Sequence, residues 1–276
     1  MHSKSAVVDL ISLILKIIIG LYYMTDTITC LWIQSELDEF STVCIKSWIK
    51  QGYHVDLYTY SKRFMNNISI SHLHIKDANI ILSIPIDDST NKPFLADEFR
   101  FNLFKQNKEG NRDRIIWMDT DVLLLRKIPS TSNYVSSQYT NQTGAFKCKK
   151  KVIPNIGVMC LDGTEDIDYD KILNTKQKPK AFQSKYLKEY EKQVPNDIIM
   201  GPEVFCPVHW AWAKNLFNDI DFKPQMKYGI LQKQIEDLLP DESILGVHLW
   251  RQIFKKKNYR VNDSSIYKQL INHLEL

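Results

Sequence analysis

The chain has 276 residues, 44% hydrophobic and 25% charged, with a net charge of +4. That length suits one or two domains whose core needs no staples, and the composition excludes a disordered, collagen-like or coiled-coil chain. So mild a basic excess does not argue for nucleic acid, and no nucleic-acid partner is expected; it suits an anionic small molecule or a membrane surface.

Residues 6–23 (AVVDLISLILKIIIGLYY) form the most apolar stretch. A spanning helix needs about 20 apolar residues with few charges, and Asp9 and Lys16 interrupt this one. No small-x-small cleavage site follows, which counts against a cleaved signal peptide. Three readings stand: a weak anchor giving membrane association, an amphipathic or buried helix, or a segment outside the functional domain, with Met24 just ahead of the first strand. There is no internal repeat or low-complexity linker, so residues 1–24 read as a hydrophobic segment and 25–276 as one domain. The five cysteines (Cys30, Cys44, Cys148, Cys160, Cys206) are odd in number and cannot all pair within one chain. They read as mostly free thiols of a reducing compartment. Cytoplasmic placement and membrane association through residues 6–23 both stay open. The sequons at Asn67, Asn141 and Asn262 matter only in a secreted chain.

From Thr27 onward, strand and helix patterns alternate. Thr27–Ile33 (TITCLWI) is a strand. Glu39–Gln51 carries Phe40, Val43, Cys44 and Trp48 at helical spacing, and Gly52 ends it. Tyr53–Tyr60 (YHVDLYTY) alternates as a second strand, and Asn79–Ile84 reads as a third. Phe94–Asn107 is a helix with Phe94, Phe99, Leu103 and Phe104 on one face. Arg114–Met118 (RIIWM) is a continuous apolar strand. This order predicts an α/β fold, three layers around a mainly parallel sheet. Ile153–Leu161 is another buried strand, Thr164–Lys192 a charged loop plus helix, Pro195–Pro207 loop-rich, and Ser243–Leu249 (SILGVHL) a late strand.

The sharpest feature is IIWMDTDVLLL, residues 115–125, where a buried strand ends in Asp119-Thr120-Asp121. Two carboxylates at a strand's carboxyl end lie where α/β sheets bind ligands. Close carboxylates repel unless something positive sits between them, and a hard divalent cation answers that need. The plainer reading is a pair of turn aspartates capping the strand.

The segment resembles the D-x-D motif of nucleotide-sugar-dependent glycosyltransferases of the GT-A fold. Upstream, Ala96-Asp97-Glu98-Phe99-Arg100-Phe101-Asn102-Leu103 is similar to the S/A-D-x-x-R-x-x-L helix of the D-x-D sugar-transferase family, which includes initiating α-mannosyltransferases and glycolipid α-1,4-galactosyltransferases. Asp97 precedes Asp119 by 22 residues, close to the family's spacing. Leu31-Trp32-Ile33-Gln34, Cys44–Trp48, Tyr58-Thr59-Tyr60, Asn155-Ile156-Gly157, Gly201-Pro202 and Val247-His248-Leu249-Trp250 resemble further family segments in the same order. The chain departs from the family at Gly110–Arg114, where a longer, charged turn stands in place of a Gly-Gly-aromatic run.

The resemblance implies a GT-A type, Rossmann-like domain and a metal-dependent transfer from a nucleotide-diphosphate hexose, UDP-linked, to a saccharide, glycolipid or glycoprotein acceptor. It implies Asp121 as direct ligand of Mn²⁺ or Mg²⁺, Asp119 on the ribose hydroxyls and also sharing the metal, Thr120 beside it on the donor, and His248 completing the metal ligands. Mixed carboxylate and imidazole ligation suits Mn²⁺. A lone histidine is otherwise more often a core residue. Asp97 and Arg100, one turn apart, read either as a surface ion pair or as an arginine held toward the diphosphate. Trp32, Tyr58 and Tyr60 end strands where a base would stack, with core packing the alternative. Trp250, Arg251 and Lys255–Lys257 could close over the diphosphate, and Lys147 and Lys149–Lys151 form an exposed basic run. Acceptor contacts are expected from Asn155, Asn196-Asp197, Gly201-Pro202-Glu203 and His209–Trp212. An inverting enzyme would need Asp197 or Glu203 as base; the resemblance implies retention.

Haloacid-dehalogenase-type phosphatases and phosphotransferases offer a rival, since they also end a hydrophobic strand in Asp-x-Asp, with Asp119 as nucleophile and Asp121 as acid/base. Their motif opens the domain, whereas here an alternating strand–helix region precedes it, and Glu165–Asp170 supplies a poor late acidic pair. A non-catalytic carbohydrate-binding scaffold would be expected to lose a carboxylate or His248, and all three are present.

Overall fold

The computed structural model describes residues 26–65, 70–110, 113–130, 133–140, 151–175, 185–218, 239, 241–257 and 260–276. The apolar segment 6–23, the sequons Asn67 and Asn141, Cys148 and the basic residues Lys147, Lys149 and Lys150 lie outside the described residues. No helix among the described residues is long and apolar enough to cross a membrane.

In chain order the elements are β1 (Thr27–Trp32), α1 (Glu39–Lys50), β2 (His54–Thr59), α2 (Lys62–Met65), β3 (Leu73–Asp77), α3 (Lys92–Glu109), β4 (Ile115–Met118) and β5 (Val122–Leu124). They continue with β6 (Tyr134–Thr140), β7 (Lys151–Leu161), α4 (Tyr169–Leu173), α5 (Lys185–Tyr190), α6 (Pro202–Phe205), β8 (Gly246–His248), α7 (Arg251–Lys257) and α8 (Ile266–His273). The main sheet has the order β3-β2-β1-β4-β7-β6. Its first four strands are parallel, and β7 joins antiparallel to both β4 and β6. A separate antiparallel pair, β5 with β8, stands at the carboxyl end of β4.

Two long helices cover opposite faces. The carboxylate of Asp38 caps α1 by accepting from the Ser41 N–H at 2.9 Å, satisfying a backbone donor the helix start leaves free. Cys44, Ile45 and Trp48 of α1 pack against Ile28 and Cys30 of β1 and Ile116 and Met118 of β4. On the other face, Phe99, Leu103 and Phe104 of α3 meet Leu31 of β1 and Trp117 of β4. Alternate residues of each central strand thus enter different cores, the two-sided burial that continuous apolar strands foretell. The predicted three-layer α/β class is the observed one.

The third strand lies earlier than predicted. β3 is Leu73–Asp77, while residues 78–80 form a single tight turn capped by Asp77. β3 is an edge strand covered on one side, so it alternates and lacks the apolar run that suggested residues 79–84; Ile80 from that run is 65% exposed. β6 escaped notice because its sequence, YVSSQYT, carries two serines. They are buried with their hydroxyls donating to the Asn155 and Met200 carbonyls. Pro195–Pro207 is mostly irregular, as expected, with one helical turn at residues 196–198 and the four-residue α6.

Candidate active site

The site begins where β4 stops. The Asp119 N–H donates to the Gly157 carbonyl at 2.7 Å, extending the β4–β7 pairing by one rung, and Val122 N–H then closes a turn onto the Asp119 carbonyl at 3.0 Å. That turn lifts Thr120, half-buried, to the tip and sends the chain into β5. In the β5–β8 pair Val122 stands opposite His248. The pairing register therefore carries a histidine 127 residues further on to the rim beside Asp121. Its Nε2 lies 3.2 Å from Asp121 Oδ1.

The two carboxylates are held by different means. Asp119 Oδ1 accepts from Arg100 Nη2 at 2.5 Å and from the Trp117 indole at 2.8 Å. Arg100 is 2% exposed. Its other terminal nitrogen donates to Asp97 at 3.0 Å, and its guanidinium lies 4.7 Å from the Trp117 ring centre. Asp121 instead accepts from the Arg251 backbone N–H at 3.0 Å on Oδ2, and its carbonyl takes the Leu249 N–H at 2.8 Å. His248 stacks on Trp250 with ring centres 3.9 Å apart, and Cys206 Sγ is 4.0 Å from its Nδ1.

The electrostatics follow from burial and neighbours. Burial pushes the Asp119 carboxyl above the ordinary aspartate value; Arg100 opposes this and the Asp121 charge adds to it. Burial acts the same way on Asp121, but His248 and the Arg251 N–H outweigh it and hold the carboxyl below the usual value. His248 is discharged by burial and recharged by Asp121, with the net result that its imidazole keeps a proton well above the ordinary range.

Asp119, Asp121 and His248 each offer a ligand atom, all within 4.8 Å of one another. Gly157 forms the floor. A Cβ there would stand 2.8 Å from Asn155 Oδ1, 3.3 Å from His248 Cε1 and 3.4 Å from Asp119 Oδ2. Asn155 is buried, accepts from the Gly157 N–H at 2.8 Å and donates to Gln138. Two carboxylates and an imidazole, with a bare glycine leaving room between them, suit a divalent cation of the Mn²⁺ or Mg²⁺ kind.

The remaining predicted residues are distributed unevenly. Asp97 and Arg100 belong to the site, but Arg100 is enclosed and spent on two aspartates instead of facing a diphosphate. Tyr58 is a core ring against Phe99, and Trp32 is buried under the Arg251 guanidinium, 4.8 Å away, with its indole bonded to the Glu36 carbonyl. Core packing is thus the observed environment of both. Tyr60 is half-buried and donates to the Leu82 carbonyl. Trp250 adjoins the triad, its indole on the Val208 carbonyl at 2.8 Å. Asp197 is exposed, and Glu203 sits half-buried over Gly201 at the start of α6; neither enters the triad. His209 is buried with Nε2 2.9 Å from the Tyr139 carbonyl, and Trp210 beside it is 44% exposed. Sequence reading missed Trp117 as part of the site, and it quoted Gly157 within Asn155-Ile156-Gly157 as a family segment without a place beside the triad. For Trp117 the signal was present, since a residue two before Asp119 on a strand shares its side.

Residues 179–274 match a family described as the alpha 1,4-glycosyltransferase conserved region, a stretch that includes His248 and Trp250. No curated protein matches the chain. Among solved structures, a glycosyltransferase involved in the glycosylation of the major capsid of PBCV-1 aligns over 91% of this chain and 100% of its own, at 13% identity and a TM-score of 0.40. The glycosyltransferase GlyE of Streptococcus pneumoniae TIGR4 aligns over 91% of this chain and 60% of its own, at 11% identity and a TM-score of 0.47. The Asp119–Asp121–His248 rim, whose histidine lies within the matched region, is compatible with a glycosyltransferase of this kind. These findings support a glycosyltransferase, carried on a mixed, mainly parallel α/β sheet.

Proposed function

We propose that the enzyme transfers a hexose or related sugar, with retention, from a UDP-linked donor to a saccharide, glycolipid or glycoprotein acceptor, and that it depends on Mn²⁺ or Mg²⁺. The observation that carries this reading is the convergence of Asp119, Asp121 and His248 to within 4.8 Å at the carboxyl rim of the sheet. The phosphatase alternative is not favoured, since the C-terminal region matches a glycosyltransferase family.

Asp121 and His248 would hold the ion, with Asp119 Oδ2 as the third donor, because Asp119 Oδ1 is already committed to Arg100 and Trp117. When bound there, a divalent ion supplies Lewis-acid stabilisation to the pyrophosphate oxygens as the glycosidic bond breaks. The protein's part is to keep Asp119 ionised and aimed. Arg100 opposes the burial that raises its carboxyl, and Trp117 fixes which oxygen faces the rim. Thr120, at the tip of the turn, stands where a ribose would approach. Asp97 acts behind Arg100, holding its second nitrogen. Trp250 lies flat on His248 and keeps that imidazole's edge toward Asp121.

The exposed Trp210 face suits a sugar ring of the acceptor, with the Asp197–Glu203 segment shortly before it in the chain and Asn155 beneath the triad. Retention leaves the acceptor proton to the departing phosphate; an inverting outcome would enlist Asp197 or Glu203 as base. The four described cysteines are buried and free, which supports a reducing compartment. The test is a panel of nucleotide sugars with Mn²⁺, read by thermal shift and nucleotide release. UDP-linked donors should raise the melting temperature and release nucleotide, and EDTA should abolish both. Absence of any shift across the panel would overturn the reading.

A further inference from the structure

Helix α1 grips the metal-binding turn from two sides. The Trp48 indole donates to the Val122 carbonyl at 2.8 Å, and Ser47 Oγ accepts from the Leu124 N–H at 2.9 Å. These bonds hold β5, the strand that leaves Asp121. At the other end of α1, Asp38 accepts from Arg251 Nε at 2.5 Å and also pairs with Arg251 Nη2. Lys255, one turn further along α7, reaches the same oxygen at 3.0 Å. Arg251 is 7% exposed and lies over the Trp32 ring, so its charge is largely withdrawn from water and is balanced by Asp38, with Asp121 also feeling it.

The segment thus anchored is strained. Trp250 has φ +54, a left-handed conformation that a bulky residue keeps only where its surroundings over-determine it. Three bonds do so: Leu249 N–H to the Asp121 carbonyl, Arg251 N–H to Asp121 Oδ2, and the Trp250 indole to the Val208 carbonyl. The same turn sets the Trp250 ring against His248. The Arg251 side chain, through Asp38, ties this turn to the main body of the domain by a charge, and Lys255 adds to the same carboxylate.

We propose that Asp38 is a positioning residue for the metal-binding turn: by clamping Arg251 it holds the left-handed Trp250–Arg251 backbone against Asp121 and so orients both Asp121 and His248 for an ion. The inference rests on the metal-dependent reading above. Asp38 touches no ligand atom; it acts on affinity through its direct contact with Arg251, 213 positions away in sequence, by the route that outer partners of metal ligands use.

The experiment measures Mn²⁺ binding without donor, by electron paramagnetic resonance of the free ion, on the full chain. Asp38→Asn keeps a capping oxygen for Ser41 but removes the charge. It and Arg251→Gln should each weaken Mn²⁺ binding by about 10-fold to 100-fold, and the double variant should bind no more weakly than the worse single one. In turnover assays the loss should appear at limiting Mn²⁺ and recover at saturating Mn²⁺. Lys50→Ala, which breaks an exposed contact of α1 to Glu275, should leave Mn²⁺ binding unchanged. If Asp38→Asn does not fold, Arg251→Lys should still weaken binding, because its single ammonium cannot reproduce the fork. Folded variants that bind Mn²⁺ as tightly as the parent, or single losses that simply multiply in the double variant, would overturn the inference. A parent protein that binds no Mn²⁺ would sink the metal-dependent reading itself.

Discussion

Asp119 and Asp121 are separated by one residue and held by opposite halves of the molecule. The sheet side grips Asp119 with a buried guanidinium and an indole, both from elements of the parallel core, α3 and β4. The C-terminal side grips Asp121 with an imidazole and two backbone N–H groups that arrive late in the chain. The first grip is permanent, because Arg100 cannot give up its charge. On the metal-dependent reading the second is exchangeable, since His248 would trade its proton for a metal ion. One carboxylate is therefore set by the core of the sheet, the other by groups that arrive late in the chain.

The largest expected effect follows on the exchangeable side. Asp121→Ala removes a ligand worth several kcal/mol of charge stabilisation, so turnover should fall by about three orders of magnitude, while urea unfolding in EDTA should show a smaller loss, that of the buried pairing with His248. On the permanent side the balance reverses. Arg100→Leu leaves Asp97 and Asp119 without their buried cation and should cost about 3 kcal/mol in urea unfolding; an unchanged midpoint would show that the pairing is dispensable.

Acidity should separate the halves again. The imidazole of His248 holds its proton above the ordinary range, and a metal must displace that proton. Below the folded value, Mn²⁺ affinity should therefore drop about tenfold for each pH unit, and it should keep improving above pH 6.5 instead of levelling there. Asp119, also raised, adds to the loss in acid, while Asp121, lowered, stays ionised. In EDTA the sign inverts. A group whose folded value is raised stabilises below its unfolded value of about 6.5, so the melting temperature should decline as pH rises past that point. His248→Gln should flatten both profiles, measured by calorimetry and ion titration. The smallest effect belongs to the floor between the halves. Gly157→Ala would force Asn155 Oδ1 to move and press His248 by a few tenths of an ångström, and should weaken Mn²⁺ binding severalfold, up to about tenfold.

The parallel half was legible in the chain because buried strands and amphipathic helices announce themselves through local period. β1, α1, β2, α3 and β4 stand within one or two residues of their expected bounds. β3 was misplaced and β6 overlooked because edge strands mix exposed and buried residues, and the burial of Ser136 and Ser137 is a matter of tertiary hydrogen bonds that no run of residues reveals. The D-x-D pair and His248 were readable as candidates by their chemistry. Arg100 was singled out too, but its direction was not.

Local order along the chain established an α/β sheet whose buried fourth strand ends in two aspartates, because solvent exclusion dictates which residue types sit where. Distance was beyond it. His248 lies beside Asp121 only because β5 pairs with β8, and Arg100 faces Asp119 and not solvent only because α3 packs on the sheet at one height. Such contacts between residues far apart in the chain are fixed by packing and hydrogen-bond register, which exist only once the whole domain has closed.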